Sequence, residues 1–280
     1  MKVRCGVAAA MVAAAVSASA SASTVTVIGS GSLFTNPGTS NQGQLLSGNW
    51  VYNNVRNSGQ VGVTSAYPRS GNGSVEFRSP TNNGKADIEF LGQPLNVGGN
   101  FVPTASLGLL SNLNLSGLGY DWYRDSSSTN PNVQHPSYRI LVDRDGNLFT
   151  TGDRGYLIFE RAYNVGGPVP TDTWVTETIT GASNMWSTGG LPDPGAVFNR
   201  NLSQWQALMP NARVLGFSLG VGSGWDGVFR GAVDNVRFGF GTSSTTYNFE
   251  LLRGPEEIPT PAAFMAGSVL MGMLATRRRK

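Results

Sequence analysis

Short runs of alternating apolar and polar residues, each closed by glycine, proline or an Asn-Gly or Asp-Gly pair, fill most of this 280-residue chain. Successive side chains on a strand point to opposite faces, so such runs read as strands with one apolar face. In residues 74–78, Val75 and Phe77 share one face, with Glu76 and Arg78 on the other. In residues 85–90, Ala86, Ile88 and Phe90 point inward, with Asp87 and Glu89 outward. Residues 138–142 and 147–150 flank Asp143-Arg144-Asp145-Gly146, where the Asp-Gly pair supplies the positive φ of a tight hairpin turn. Leu215, Phe217, Leu219 and Val221 share a face, as do Val236, Phe238 and Phe240, and residues 213–240 read as a long terminal hairpin.

The breakers leave little room for helices. The best candidate, residues 199–208, lasts two to three turns before Pro210 stops it. No internal repeat and no Pro/Ser linker divides the body. The expectation is an all-β chain, a single antiparallel β-sandwich of the jelly-roll or lectin-like kind over residues 23–254.

Both ends carry targeting signals. Residues 1–22 combine Lys2 and Arg4, an apolar stretch from Val7 to Val16, and the small-residue exits Ala18-Ser19-Ala20 and Ala20-Ser21-Ala22. Basic, apolar and A-x-A parts in that order make a secretory signal peptide with two equivalent cleavage sites, which implies the Sec translocon. Cys5 is the only cysteine and precedes the apolar core. It leaves with the signal, so the exported chain has neither a disulfide nor a thiol nucleophile.

Residues 258–280 read IPTPAAFMAGSVLMGMLATRRRK. Pro259 and Pro261 hold the approach extended, an uncharged run containing Gly267 and Gly272 follows, and Arg277, Arg278, Arg279 and Lys280 close the chain. The alternative of a buried core helix fits poorly, because the run has no polar face. Pro-x-Pro, a small-residue apolar helix and a terminal arginine cluster resemble the C-terminal sorting signal of PEP-CTERM proteins. That resemblance implies a single transmembrane helix at about 260–276 within a signal at 255–280, cut by an exosortase-type membrane peptidase. Thr260 stands where the usual Val-Pro-Glu-Pro core has glutamate, which leaves the cleavage point open. The resemblance implies no enzymatic activity.

The targeting ends also explain the charge. The whole chain carries 20 Lys and Arg against 17 Asp and Glu, with a pI near 9.2. Lys2, Arg4 and the four C-terminal basic residues account for six of the 20, and the remaining 14 against 17 acids give a net −3. No basic run is left in the body, which excludes a nucleic-acid partner.

Candidate chemistry is sparse. Asp234 shares parity with Val236, Phe238 and Phe240, so a regular strand aims its carboxylate at the apolar face, where it needs a partner. The run Gly231-Ala-Val-Asp-Asn-Val-Arg-Phe238 resembles the closing strand of jelly-roll carbohydrate-binding modules. The resemblance implies a structural Ca2+ at Asp234; an aspartate at a strand entrance or bulge, bonded to backbone amides, is the alternative. Asp143-x-Asp145-Gly146-Asn147 has the look of a calcium loop but lacks the distal glutamate, and reads as a turn. His135 is the only histidine, lies in an Asn/Pro-rich loop without a G-x-S-x-G elbow, and reads as solvated. The pair Asp87 and Glu89 satisfies the residue types of glycoside hydrolysis, although cross-strand pairing with Arg78 is the simpler account.

Aromatic rings match the CH face of a sugar and their polar edges match its hydroxyls. Trp122, Tyr123, Trp186 and Trp225 stand among Gly, Ser, Asn and Asp and are the candidate ligand-binding residues, with core packing the alternative for Trp122, its neighbour Tyr120 and Trp225. The combined expectation is an exported bacterial cell-surface or extracellular-matrix protein, anchored at first in the inner membrane, with no catalytic residues, binding extracellular polysaccharide. A glycan-active hydrolase or lyase on the same sandwich, and a structural subunit without a ligand, are the alternatives.

Overall fold

A computed structural model of the chain describes residues 21–252. Of the signal peptide expected at 1–22, residues 1–20 lie outside the described residues and Ser21 and Ala22 open a strand. The sorting signal expected at 255–280, including Pro259, Pro261, Arg277, Arg278, Arg279 and the helix at 260–276, lies wholly outside them. No helix among the described residues is long and apolar enough to cross a membrane.

Two sheets form the body. One contains β1 (Ser21–Gly29), β2 (Phe34–Thr35), β5 (Gln60–Thr64), β6 (Ser74–Ser79), β11 (Leu118–Arg124), β14 (Trp174–Ile179), β18 (Phe229–Phe238) and β19 (Ser243–Leu251). The other contains β3 (Gln42–Ser47), β4 (Trp50–Arg56), β7 (Lys85–Leu91), β10 (Gly108–Leu109), β12 (Ser137–Asp143), β13 (Arg154–Phe159), β15 (Asn184–Ser187), β16 (Gly195–Asn201) and β17 (Arg213–Val221). A separate hairpin pairs β8 (Pro94–Val97) with β9 (Asn100–Pro103). The pairings are antiparallel except β1 on β19, which run parallel in register over nine residues.

The sheets pack face to face through their inward residues. Val75, Phe77, Leu118, Tyr120, Trp122, Val233, Val236 and Phe249 of the eight-stranded sheet meet Trp50, Tyr52, Ile88, Tyr138, Ile140, Leu157, Phe217 and Leu219 of the nine-stranded one. Phe217 stacks on Phe238 at 4.1 Å across the interface, and Trp50 meets Phe249 edge-on at 4.9 Å. The expected all-β sandwich is the observed architecture.

Three local expectations need correction. The terminal hairpin does not exist, because β17 and β18 belong to different sheets and their chain crosses from one layer to the other. Two strands with apolar faces can bury them against each other only from opposite layers, and the Phe217–Phe238 stack shows that they do. Residues 147–150 form no strand; β12 pairs instead with β13 across a longer loop in which Gly146 takes φ +77°. The parity at Asp234 is broken by Asn235, whose φ of +48° inserts a bulge. Val233 and Val236 therefore both face the core, and Asp234 lies on the outward face opposite Asp121 of β11. The candidate helix is present as α1 (Leu202–Leu208), which starts after Asn201 because Asn201 and Gln204 form a capping box.

Replacing Phe217 by Ala should cost about 3–5 kcal/mol in urea unfolding, since the cavity falls where both sheets meet. Phe149→Ser, at a loop position 98% exposed, should leave the midpoint unchanged. Equal effects of the two substitutions would contradict this packing.

Candidate functional site

The outward face of the nine-stranded sheet carries an unusual density of buried charge. Strand alternation turns Lys85, Asp87 and Glu89 of β7 away from the core, while register brings other outward residues alongside. Glu89 lies opposite Ser218, Ser218 opposite Arg139, Arg139 opposite Ile158, and Ile158 opposite Trp186. Two residues along, Asp87 sits between Asn53 and Gly220.

Asp87 and Glu89 are each only 1% exposed. The expected pairing with Arg78 does not occur; Arg78 pairs with Glu76 on the other sheet. Arg139 Nη1 reaches Asp87 Oδ1 at 2.6 Å and Lys85 Nζ reaches Oδ2 at 2.8 Å. Arg139 also donates from Nε to Ser137 Oγ and from Nη2 to the Gly220 carbonyl. A Cβ at Gly220 would collide with the Asp87 carboxylate, so only glycine lets the acid lie across β17. Glu89 accepts from Asn53 Nδ2 at 2.7 Å and from Tyr156 OH at 3.0 Å. Asn54 Nδ2 bridges the acids, 3.0 Å from Asp87 and 3.2 Å from Glu89. It reaches them because β4 bulges there, with Asn54 at φ +54°.

These surroundings push the two acids apart. Burial opposes the charge on Asp87, but Arg139 and Lys85 outweigh it and hold the carboxyl below its ordinary range. Burial, with the Asp87 charge beside it, pushes Glu89 up. Burial also lowers Lys85 and raises Glu160.

Two hollows open above this floor and meet at Tyr156. One, of about 390 Å³, is lined by Lys85, Arg139, Tyr156, Glu160, Trp186 and Trp225, with Gly222 to Gly224 as its wall. The second, of about 280 Å³, lies between the β8–β9 hairpin and the loop before β13, against Asn54, Glu89, Phe101, Leu141, Thr151 and Arg154. The hairpin is fixed there by Asn53, which donates to the Phe101 carbonyl and accepts from its N–H. Together the hollows make a groove with a charged floor and aromatic sides.

Of the four aromatic candidates, the fold brings two together. Trp186 projects outward from β15, and Trp225, 9% exposed, stands in the crossover between β17 and β18 with its ring edge-on to Phe229. Trp122 is fully buried in the core, so the expectation that its ring meets a ligand is corrected. Tyr123 lies on the outward face of the opposite sheet, its ring tilted 30° against that of Tyr67 with centroids 4.7 Å apart, far from the groove in topology. Lys85, Arg139, Tyr156 and Glu160 were missed by sequence reading. Strand parity alone marks Arg139 and Tyr156 as outward, but only cross-strand register assembles them.

His135 is also corrected. It is 4% exposed and stacks on Trp122 at 4.4 Å. Burial pushes its pKa down to about 3, so the ring is neutral in neutral solution and is packing rather than a general base.

Two acidic clusters bear on a cation. Carboxylate oxygens of Asp143, Asp145 and Asp153 lie within 4.8 Å of one another. Each is committed to its own loop, Asp143 to Gly146 N and Arg154, Asp145 to Asn147 N, and Asp153 to Asp145 N and Thr150. These contacts build the turn between β12 and β13. Asp234 differs. It sits where β18 changes partner from β6 to β19, and its Oδ1 accepts from Phe249 N at 2.9 Å. Its Oδ2 is buried without a hydrogen-bond partner among the described residues. Burial pushes its pKa up to about 7 against the pull of the Phe249 amide. A hard cation or a proton satisfies such an oxygen.

No protein-family model and no curated protein matches the chain. A solved structure reported under the words "promiscuous specificity of the carbohydrate-binding modules from the beta-sandwich super family" aligns over 73% of this chain at 12% identity, with a TM-score of 0.32. This chain spans 58% of that structure's chain. A likeness at that level carries no weight for ligand or site.

The buried imidazole gives a direct check. The His135 ring resonances should stay constant between about pH 5 and 8 in NMR titration. A midpoint near 6.5 would place the ring in solvent.

Proposed function

We propose that this is an exported bacterial surface or matrix protein that binds polysaccharide without cleaving it, in the groove on the outward face of the nine-stranded sheet. One observation carries the reading: Tyr156, Trp186 and Trp225 line the same hollow as the polar groups of Lys85, Arg139 and Glu160. Sugar rings need such a combination, apolar faces for their CH groups and fixed donors and acceptors for their hydroxyls. The export route rests on the signal peptide and on the PEP-CTERM-like tail, with the Sec translocon and an exosortase-type peptidase as processing partners. A jelly-roll class within the sandwich belongs to the same proposal.

A second reading, a glycan-active hydrolase or lyase, draws support from the opposed pKa shifts of Asp87 and Glu89, the arrangement that separates an acid from a base. Against it, both carboxyls are buried and already hold several donors. Binding of the full-length protein to a panel of soluble polysaccharides, followed by affinity electrophoresis and by assay of released reducing ends, separates the readings. The expected outcome is retardation without product, weakened about tenfold or more by Trp186→Ala. Product formation abolished by Glu89→Gln would replace the first reading with the second, and retardation unaffected by Trp186→Ala would remove the groove as the site.

We also propose a structural Ca2+ held by Asp234. The unpartnered Oδ2 supports it, as does Asn248 Oδ1 beside Phe249, a second buried oxygen without a hydrogen-bond partner among the described residues. Asp121 on the paired strand is instead ion-paired, its Oδ1 3.6 Å from Arg237 Nη1 and its Oδ2 3.0 Å from Arg69 Nε. Without a cation, folding holds the Asp234 proton more tightly than the unfolded chain does, with the folded pKa at about 7 against the ordinary 3.8. That contribution is complete at low pH and is lost as pH rises through about 7. In chelator the melting midpoint should therefore fall between pH 5 and pH 8, and calcium should restore it at pH 8 in the wild type but not in Asp234→Asn. A midpoint indifferent to calcium would sink the calcium proposal.

A further inference from the structure

The charges at the floor of the groove are layered. Asp87 and Glu89 lie beneath, while the side chains of Lys85 and Arg139 above them are 17% and 7% exposed and line the hollow. Each cation still has hydrogen-bonding capacity. Lys85 spends one of its three N–H donors on Asp87. Arg139 spends one each from Nε, Nη1 and Nη2, on Ser137, Asp87 and the Gly220 carbonyl, which leaves one N–H on each terminal nitrogen. Asp87 keeps both heads in place, so the donors are fixed before a ligand arrives.

We infer that the groove takes an acidic glycan, a polymer of uronic acid residues, with the sugar carboxylate received by Lys85 and Arg139 and the sugar ring seated against Tyr156, Trp186 and Trp225. The inference rests on the reading of this groove as a glycan site and names its substrate class. The fork of free guanidinium N–H groups suits a planar carboxylate, and the ammonium adds a point charge beside it. A neutral sugar hydroxyl uses these donors less well, since charge-assisted hydrogen bonds are roughly twice as strong as neutral ones. Glu160 is the one acid among the residues lining this hollow, and burial raises its pKa, which weakens its opposition to an anion. The body of the chain is net negative once the targeting ends are set aside, so unspecific attraction does not supply the preference.

The test compares each acidic polymer with its own neutral form. Full-length protein is measured by affinity electrophoresis and calorimetry against polygalacturonate and alginate, and against the same polymers with their carboxyl groups reduced to alcohols. The acidic form should bind about tenfold tighter or more, and Lys85→Gln should cut that ratio several-fold, with thermal melting as the check of folding. Trp186→Ala should weaken both forms together. Equal affinity for acidic and reduced polymers would overturn the uronate inference and leave the glycan site standing. Binding to neither form, nor to any neutral polymer, would remove both. An acid preference unchanged in Lys85→Gln and in a folded Arg139→Gln would place the anion elsewhere and overturn the inference.

Discussion

Two carboxylates that cannot be left alone organise the outward face of the nine-stranded sheet. Asp87 and Glu89 face away from the sandwich core and are nonetheless buried, and a buried unpaired carboxylate is far too costly to persist. Much around them serves to meet that cost. Arg139 and Lys85 neutralise Asp87, Tyr156 and Asn53 hold Glu89, and the bulge in β4 swings Asn54 over both. The same Asn53 anchors the β8–β9 hairpin, so the network that satisfies the acids also builds one wall of the groove.

A network of this kind is a costly way to stabilise a fold, since apolar residues of similar volume often do as well. Its worth lies in orientation. Arg139 is held by three partners and Lys85 by Asp87, so both present fixed donors to the hollow above them. Preorganised polar groups beneath aromatic side chains are what the proposed glycan site would draw on, with no movement of the sheet. The opposite sheet shows the same physics at Asp234, where a bulge at Asn235 turns one acid out of the core at the fork between two partner strands.

Much of the architecture was legible from alternation alone. The runs around Val75 and Phe77, and around Ala86 and Ile88, became β6 and β7 with the expected inward faces, and the capped helix before Pro210 is present. The misses share one cause. A strand's pattern says which of its residues face inward, but not which sheet it joins, so β17 and β18 read as a hairpin when they lie in opposite layers. Parity also fails at bulges, because one residue with positive φ reverses every assignment after it, as at Asn235. His135 was misjudged for a related reason: a loop rich in Asn and Pro reads as wet, yet it folds over the core edge and stacks the imidazole on Trp122, for which core packing was the standing alternative.

The sequence by itself determined the class of fold, the inward faces of individual strands, the lack of a thiol in the body and the confinement of the excess positive charge to the first few and last few residues. Those follow from local periodicity and composition, which act over a few residues. Only the tertiary structure decided that Arg139, Tyr156, Lys85 and Trp186, drawn from four different strands, share one groove, and that Asp87 and Glu89 form its floor rather than its rim. Cross-strand register sets those neighbours, and register comes from the packing of one whole sheet against the other.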